Sequence, residues 1–294
     1  MSHVVTTPQP PFLSRSGALR VHQIPAWQDN LIWLIECTTT GHVAVVDGPE
    51  AEPVLAYLQT HRLSLHAIFN THTHGDHIGI NRDLEQRGLL AGTRVVGSAK
   101  APTTIPGLTE PVNDGDVVVL GDCEGRVLLT EGHINGHISF LFDGVLFCGD
   151  TLFTGGCGYL FDGPAETMHR SLQRLSELEQ DTLVCCAHEY TQDNLRFALS
   201  LEPENQALRA RCRQTWQRRA RGECMVPSTI GLELQTNPFL RTRSPELIQH
   251  LNRLLPAADV GSDGQVFAAT RKLKDLKYYR SLSDFEYGLG EGSS

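Results

Sequence analysis

The stretch FNTHTHGDHIGINRDL, residues 69–84, holds His72, His74, Asp76 and His77 within six positions. A core does not tolerate so many imidazoles and carboxylates without partners, and a surface loop has no use for them. What they do well together is bind a divalent cation. Four such residues on one loop are more than a closed site for one ion takes from a loop, and fewer than two ions need. The remaining ligands must therefore come from elsewhere. TEGHINGHISF offers His133 and His137, LFCGDTLFTGG offers Asp150, and LVCCAHEY offers His188. His133, Asp150 and His188 each stand where an apolar run stops, a position that gathers function at one rim of a sheet. Taken singly, either histidine would read as structural and Asp150 as a turn or capping aspartate. The joint pattern is what points to a metal site. The other histidines (His3, His22, His42, His61, His66, His169 and His250) lack such company and read as structural or solvated.

Two divalent ions about 3.5–4 Å apart can share one water and bring its pKa toward neutrality. The bridging hydroxide is then a nucleophile that needs no serine or cysteine, and the chain has no G-x-S-x-G elbow. One ion also polarises a carbonyl and stabilises the oxyanion that develops on it. A thiolate leaves without obligatory protonation, so a thioester suits such a site. Imidazole and carboxylate ligands accept zinc, iron or manganese.

Positioning these residues requires strands. LIWLIEC and HVAVVDG read as neighbouring strands, followed by a helix over AEPVLAYLQTHRL with apolar spacing at Val54, Leu55 and Leu58. LHAIFN is a strand running into the histidine cluster, and IGINRDLEQRG a helix stopped by Gly88. TRVVGSA, DVVVL, RVLLTEG, ISFLF, VLFCGD and TLVCCAHEY read as further strands, with a helix over AETMHRSLQRLSELE. Asp143-Gly144 marks a hairpin. Tight hairpins among helices favour an α/β layer structure with mixed sheets. From about Tyr190 strand signals cease. Two helices broken near Pro203 follow, then SPELIQHLNRLLP, then SDGQVFAATRKLKDLKYYR, which opens with Ser262 and Gln265 in capping-box spacing. On that last helix Arg271 and Lys274 share a face, while Val266, Ala269, Leu273 and Leu276 form an apolar stripe on another side. The expected organisation is one domain over 1–189, a smaller all-helical domain over 190–280 and a flexible tail over 281–294.

A net charge of −9 argues against a nucleic-acid partner bound through a broad basic surface. The N-terminus has no signal-peptide pattern, and no apolar run is long enough for a membrane span. The eight cysteines contain no C-x-x-C pair and read as reduced thiols of a cytoplasmic protein. Oligomeric state is expected to be monomer or weak homo-oligomer.

THTHGDH matches the T-H-x-H-x-D-H signature of the metallo-β-lactamase superfamily, whose later ligand positions fall on His133, Asp150 and His188. The resemblance implies an αββα sandwich. It also implies one ion on His72, His74 and His133, a second on Asp76, His77 and His188, and Asp150 as the bridge. Asp76 and Asp150 would then be the catalytic carboxylates beside a metal-bridging hydroxide, with His137 a supporting histidine. Beyond the motif, IPAWQDNLIWLIE, CGDTLFTGGCG, HEYTQDNLRFA, PSTIGLELQTNPFLR and RKLKD resemble segments of the glyoxalase II family of hydroxyacylglutathione hydrolases. That implies hydrolysis of S-D-lactoylglutathione to glutathione and D-lactate, the second step of methylglyoxal detoxification. It also implies two divalent ions, zinc first, and substrate contacts from Tyr159, Phe161, Tyr190, Arg271 and Lys274. The chain departs from the family at Tyr159, where a cation is usual, and at Glu131, Ile134 and Asn135. The alternative is a superfamily hydrolase of another ester, thioester or lactone.

Overall fold

The computed structural model describes residues 3–101 and 103–281. The first half builds β1 (Phe12–Leu13), β2 (Leu19–Ala26), β3 (Asn30–Cys37), β4 (Val43–Val46), α1 (Glu52–His61), β5 (Leu65–Phe69), α2 (Gly79–Gln86), β6 (Arg94–Ser98) and β7 (Glu110–Val112). The seven strands lie side by side in chain order. They are antiparallel as far as β4 and parallel from β4 to β7. The switch follows from the connections: α1 and α2 are crossovers, which parallel neighbours need.

Side chains alternate faces along each strand. Leu31, Trp33 and Ile35 of β3, Ala44 and Val46 of β4, and Ala67 and Phe69 of β5 point into one apolar layer. Ile32, Leu34, Val43, Val45 and Ile68 point the other way, onto Val54 and Leu58 of α1 and Ile80 and Leu84 of α2. Burial on both faces explains why these strands read as nearly continuous apolar runs.

The second sheet contains β8 (Val117–Leu120), β9 (Cys123–Leu129), β10 (Ile138–Phe142) and β11 (Val145–Gly149). After β11 come a small hairpin, β12 (Leu152–Phe153) and β13 (Gly156–Cys157), then α3 (Ala165–Ser176) and β14 (Leu183–Cys186). Phe142 pairs with Val145 across Asp143 and Gly144, both at positive φ (41° and 78°). That is the two-residue type I′ turn the Asp-Gly pair predicts. Between the sheets Phe69 stacks on Phe140 (centroids 5.3 Å) and Phe142 (5.8 Å), and Trp33 meets Phe147 (6.5 Å). Met168, Leu172 and Leu175 of α3 join the same apolar cluster. The molecule is α/β: a sandwich of two mixed sheets between helices, followed by a helical C-terminal region.

That region contains α4 (Thr191–Leu201), α5 (Gln206–Ala220), β15 (Ser228–Thr229), α6 (Ile230–Thr236), α7 (Pro245–Leu254), α8 (Asp263–Leu276) and a 3₁₀ turn over Tyr278–Ser281. The break between α4 and α5 spans Pro203, and the Asn205 side chain accepts from the Leu208 N–H to start α5. Ser262 caps α8 at the Gln265 N–H, while the Gln265 side chain donates to Asp259. Two expectations need correcting. The region is not free of strand, because β15 adds an antiparallel edge to β14; two residues are too few to show a period. The apolar stripe of α8 ends at Leu273, because Leu276 is exposed at the helix end. The expected tail lies outside the described residues from 282 onward. The polar N-terminal segment is fastened too: Thr7 bridges to Glu223, and Val5 is buried.

The helical region clasps the β12–β13 hairpin through buried polar groups. Glu233, fully buried, accepts from the Gly155 N–H (2.8 Å) and Asn237 Nδ2 (3.0 Å), and pairs with the buried Arg211 guanidinium. Asn237 Nδ2 also donates to the Gly156 carbonyl (2.9 Å), and Asn194 Nδ2 to that of Thr154 (3.2 Å). All eight cysteines are buried and outside any disulfide.

Candidate metal centre

The chain leaves β5 at Phe69 and turns through Asn70–Ile78 before α2 begins. Asn70 stabilises this loop, its Nδ2 donating to the His77 carbonyl (3.0 Å) and to Asn81 Oδ1 (3.1 Å). His133 lies between β9 and β10, Asp150 follows β11, and His188 follows β14. The first sheet therefore delivers four of the sequence-predicted residues and the second delivers three, all to one rim.

They converge in two groups, with Asp150 shared. His74 Nδ1 lies 3.1 Å from His72 Nε2 and 2.9 Å from His133 Nε2, and His133 Nε2 lies 3.5 Å from Asp150 Oδ2. On the other side, His188 Nε2 lies 3.3 Å from Asp76 Oδ2 and 3.4 Å from Asp150 Oδ1. His77 Nε2 lies 3.5 Å from Asp76 Oδ2 and 3.6 Å from Asp150 Oδ1. Ligands about 2.0–2.1 Å from a tetrahedral ion stand roughly 3.3–3.4 Å from one another. The observed separations cluster around that value. Asp150 presents one oxygen to each group, Oδ2 to the first and Oδ1 to the second.

The imidazoles are held in the tautomer that ligation needs. His77 Nδ1 donates to Asp47 Oδ2 (3.0 Å), His188 Nδ1 to Asp29 Oδ1 (2.9 Å), and His133 Nδ1 to the Tyr159 carbonyl (2.7 Å). Thr71 Oγ1 donates to Asp47 Oδ2 (2.6 Å) and so accepts from His72 Nδ1 (3.0 Å). Each of these four rings thus turns its Nε2 lone pair inward, the orientation that outer partners impose on metal-binding histidines. His77 Nε2 and Asp150 Oδ1 are buried without a hydrogen-bond partner. An orphaned nitrogen and an orphaned carboxylate oxygen facing one point fit a cation.

Charge supports the same reading. Burial opposes the charged forms of Asp76 and Asp150, yet the His188 and His77 imidazoles hold both carboxyls well below the usual carboxylate range. Burial likewise opposes charge on His188, but Asp150, Asp29 and Asp76 outweigh it and raise the ring to about 9. Burial keeps His72 and His133 on the low side, as neutral imidazoles. Left to themselves, the carboxylates draw protons onto His77 and His188, a positive charge that bound cations would supply instead. His137 lies outside both groups. Its Nε2 accepts from the Asp150 N–H (3.2 Å) and its ring stacks on His72 (4.7 Å), so it sets the backbone that carries Asp150.

Asp47 was legible but not singled out: it follows an apolar strand just as Asp150 does. Asp47→Asn is expected to weaken metal affinity by about 10–100-fold, measured by titration against a chelator. Unchanged affinity would remove Asp47 from the centre.

The expected substrate residues separate into two places. Phe161 is exposed and stands edge-on to His74 (5.1 Å) and His133 (5.2 Å). Tyr159, Tyr190, Arg271 and Lys274 line a cavity of about 260 Å³ with Phe153, Asp193 and Arg280. Arg271 and Lys274 are not on a solvated face: both are buried, with Arg271 on Asp275 (2.6 Å) and Lys274 on Asp193 (2.8 Å). The Tyr190 ring stacks on His188 (4.8 Å, 4° between planes). The cavity therefore adjoins the histidine centre, sharing Tyr190 and the Tyr159 backbone with it.

Comparison with known proteins divides the chain in the same way. Residues 26–188 match the metallo-β-lactamase superfamily, and residues 189–276 match the family described as hydroxyacylglutathione hydrolase C-terminus. A hydroxyacylglutathione hydrolase of Methylococcus capsulatus is 45% identical over 260 residues, 88% of this chain and 98% of that protein. One of Aliivibrio salmonicida is 46% identical over 259 residues, 87% and 99% of the two chains. The crystal structure of ETHE1 from Myxococcus xanthus superposes with a TM-score of 0.57 at 25% identity, over 88% of this chain and 99% of that one.

Proposed function

Because the chain belongs to the hydroxyacylglutathione hydrolase family within the metallo-β-lactamase superfamily, we infer that it hydrolyses S-(2-hydroxyacyl)glutathione thioesters, S-D-lactoylglutathione among them. The products are glutathione and a 2-hydroxy acid. The observation that carries the assignment to these residues is the shared wall: Tyr190 stacks on His188 while lining the cavity that holds Arg271 and Lys274. A substrate with a carboxylate in that cavity extends its other end toward the histidine centre.

In this reading His72, His74 and His133 would hold one divalent ion, and Asp76, His77 and His188 a second. Asp150 would serve both, and zinc, iron or manganese would suit the donors. When bound, the ions supply a water ionised near neutral pH and a Lewis acid for the thioester carbonyl. The chain's own groups do the rest. Asp76, anchored by Asn30 Nδ2 (3.1 Å), keeps a carboxylate beside the reacting atoms to accept a hydrogen bond that orients the attacking water. Arg271 and Lys274 fix the glycine carboxylate of the glutathione moiety by charge-assisted hydrogen bonds. Burial keeps the Tyr190 phenol protonated far above neutrality, so it remains a donor to the peptide-like part of the substrate. Tyr159 can hydrogen-bond there as well, but adds no charge. Phe161 shields the acyl side of the centre. The departing thiolate is stable enough to leave without a dedicated acid, since thiols ionise near pH 8.5. The chain is thus read as a catalytic domain over 1–189 and a substrate-binding domain over 190–280.

The deciding experiment compares metal-restored protein on S-D-lactoylglutathione, a lactone and a thioester without the glycine carboxylate. Preferred cleavage of the first supports the assignment; failure on it with every metal tried rejects it. Metal content per chain, measured alongside, tests the count of two.

A pH dependence follows from Lys274. Burial lowers its ammonium to about 8, an effect Asp193 offsets only in part. The protonated form grips the substrate carboxylate, so KM is expected to be low below pH 8 and to rise as pH passes about 8. Steady-state KM from pH 6.5 to 9.5, corrected for spontaneous hydrolysis, checks this; a flat profile would take Lys274 out of substrate binding.

A further inference from the structure

The match to the hydroxyacylglutathione hydrolase C-terminus ends at residue 276. Beyond it, the 3₁₀ turn folds back onto the cavity described above. Tyr279 is buried, its ring edge-on to Phe197 (5.3 Å), and its hydroxyl donates to Asp193 Oδ2 (2.7 Å). With Tyr279 seated, Arg280 reaches the same carboxylate from the open side: its Nε and Nη2 lie 3.1 and 3.0 Å from Asp193 Oδ1.

The charges of this cavity do not cancel. Arg271 is matched by Asp275, but Lys274 and Arg280 share the single carboxylate of Asp193. Among the described residues one positive charge is left over, inviting an anion. Lys274 is enclosed by Asp193 and by the rings of Phe197 and Tyr279 (5.3 and 4.5 Å). Arg280, with its side chain 53% exposed, is the cation at the mouth. Tyr159 and Tyr190, also in the lining, offer phenols and no charge. A guanidinium that meets one carboxylate along its Nε edge still has a fork of N–H groups suited to a second.

On the functional reading above, we propose that Arg280 is a specificity-determining residue: it receives the terminal carboxylate of the substrate at the cavity mouth and shares it with Lys274. The excess charge of the pocket thus comes from a segment beyond the family-matching region.

The test compares wild-type protein with Arg280→Ala and Arg280→Lys on S-D-lactoylglutathione and on the same thioester with its glycine carboxylate amidated. Arg280→Ala is expected to raise KM for the acid about tenfold with a smaller change in kcat, reflecting one lost charge-assisted contact. KM for the amide should not move, and Arg280→Lys should recover part of the loss. An equal rise on both substrates, or none on either, overturns the proposal, the first outcome marking Arg280 as merely structural. Glutathione binding by calorimetry runs in parallel. If wild-type protein hydrolyses neither thioester, the functional reading fails, and Arg280 is judged on glutathione alone. A tenfold weaker association in Arg280→Ala supports its role, and equal association ends it.

Discussion

Asp150→Asn is expected to lower kcat/KM on S-D-lactoylglutathione by at least about 10³-fold without unfolding the protein. The size of the effect follows from geometry. Asp150 is the only described residue whose two side-chain oxygens face both ligand groups, Oδ2 toward His133 and Oδ1 toward His77 and His188. An amide keeps the shape but loses the negative charge, and places an N–H₂ where one group needs a lone pair. Metal content should fall with activity, while far-ultraviolet dichroism remains near wild type. A variant that keeps two ions per chain and full turnover would contradict the bridging role. Asp76→Asn should be milder, because Asp76 serves one group only.

Glu233→Ala should produce the largest loss of stability among single substitutions at a polar residue, about 3–5 kcal/mol. Glu233 and Arg211 are both buried. Removing the carboxylate strands the guanidinium in the interior and leaves the Gly155 N–H without its acceptor. Tm should drop by roughly 10 °C, read by calorimetry on the metal-loaded protein. Because the same carboxylate fastens the β12–β13 hairpin, which runs from Asp150 toward Tyr159, KM should worsen before the fold is lost. The double variant Glu233→Gln with Arg211→Met removes both charges together and should be less harmful than Glu233→Ala. If it is not, the hydrogen bonds to the hairpin, rather than the stranded charge, dominate.

The candidate ligand residues stood out because chemistry alone marks them: imidazoles and carboxylates at the ends of apolar runs have few other uses. The strands that carry them were equally plain where both faces are apolar, as in LIWLIEC and VLFCG. β2 was harder to see. Its His22 and Gln23 are buried, but their partners, Tyr57 Oη and the Val226 carbonyl, lie 35 and 203 residues away, and local pattern does not register them. The same distance in sequence hid Asp29 behind His188, Asp193 behind Lys274 and Glu233 behind Gly155. In each case the residue type was unremarkable and only the fold gave it a partner. Arg271 and Lys274 were located correctly on one helix face, but their enclosure was not foreseen, because a helix bearing two cations ordinarily turns them to water.

The four candidate ligands of one loop ride on the first sheet, and the three others ride on the second. Between the two sheets that carry the two sets lies the aromatic layer in which Phe69 stacks on Phe140 and Phe142 and Trp33 tilts against Phe147. That layer acts as a caliper. Interiors this dense transmit small changes instead of absorbing them, so thinning the layer, for example by Phe140→Leu, would reset the gap between the two side-chain groups and retune the enzyme without altering a single residue in either.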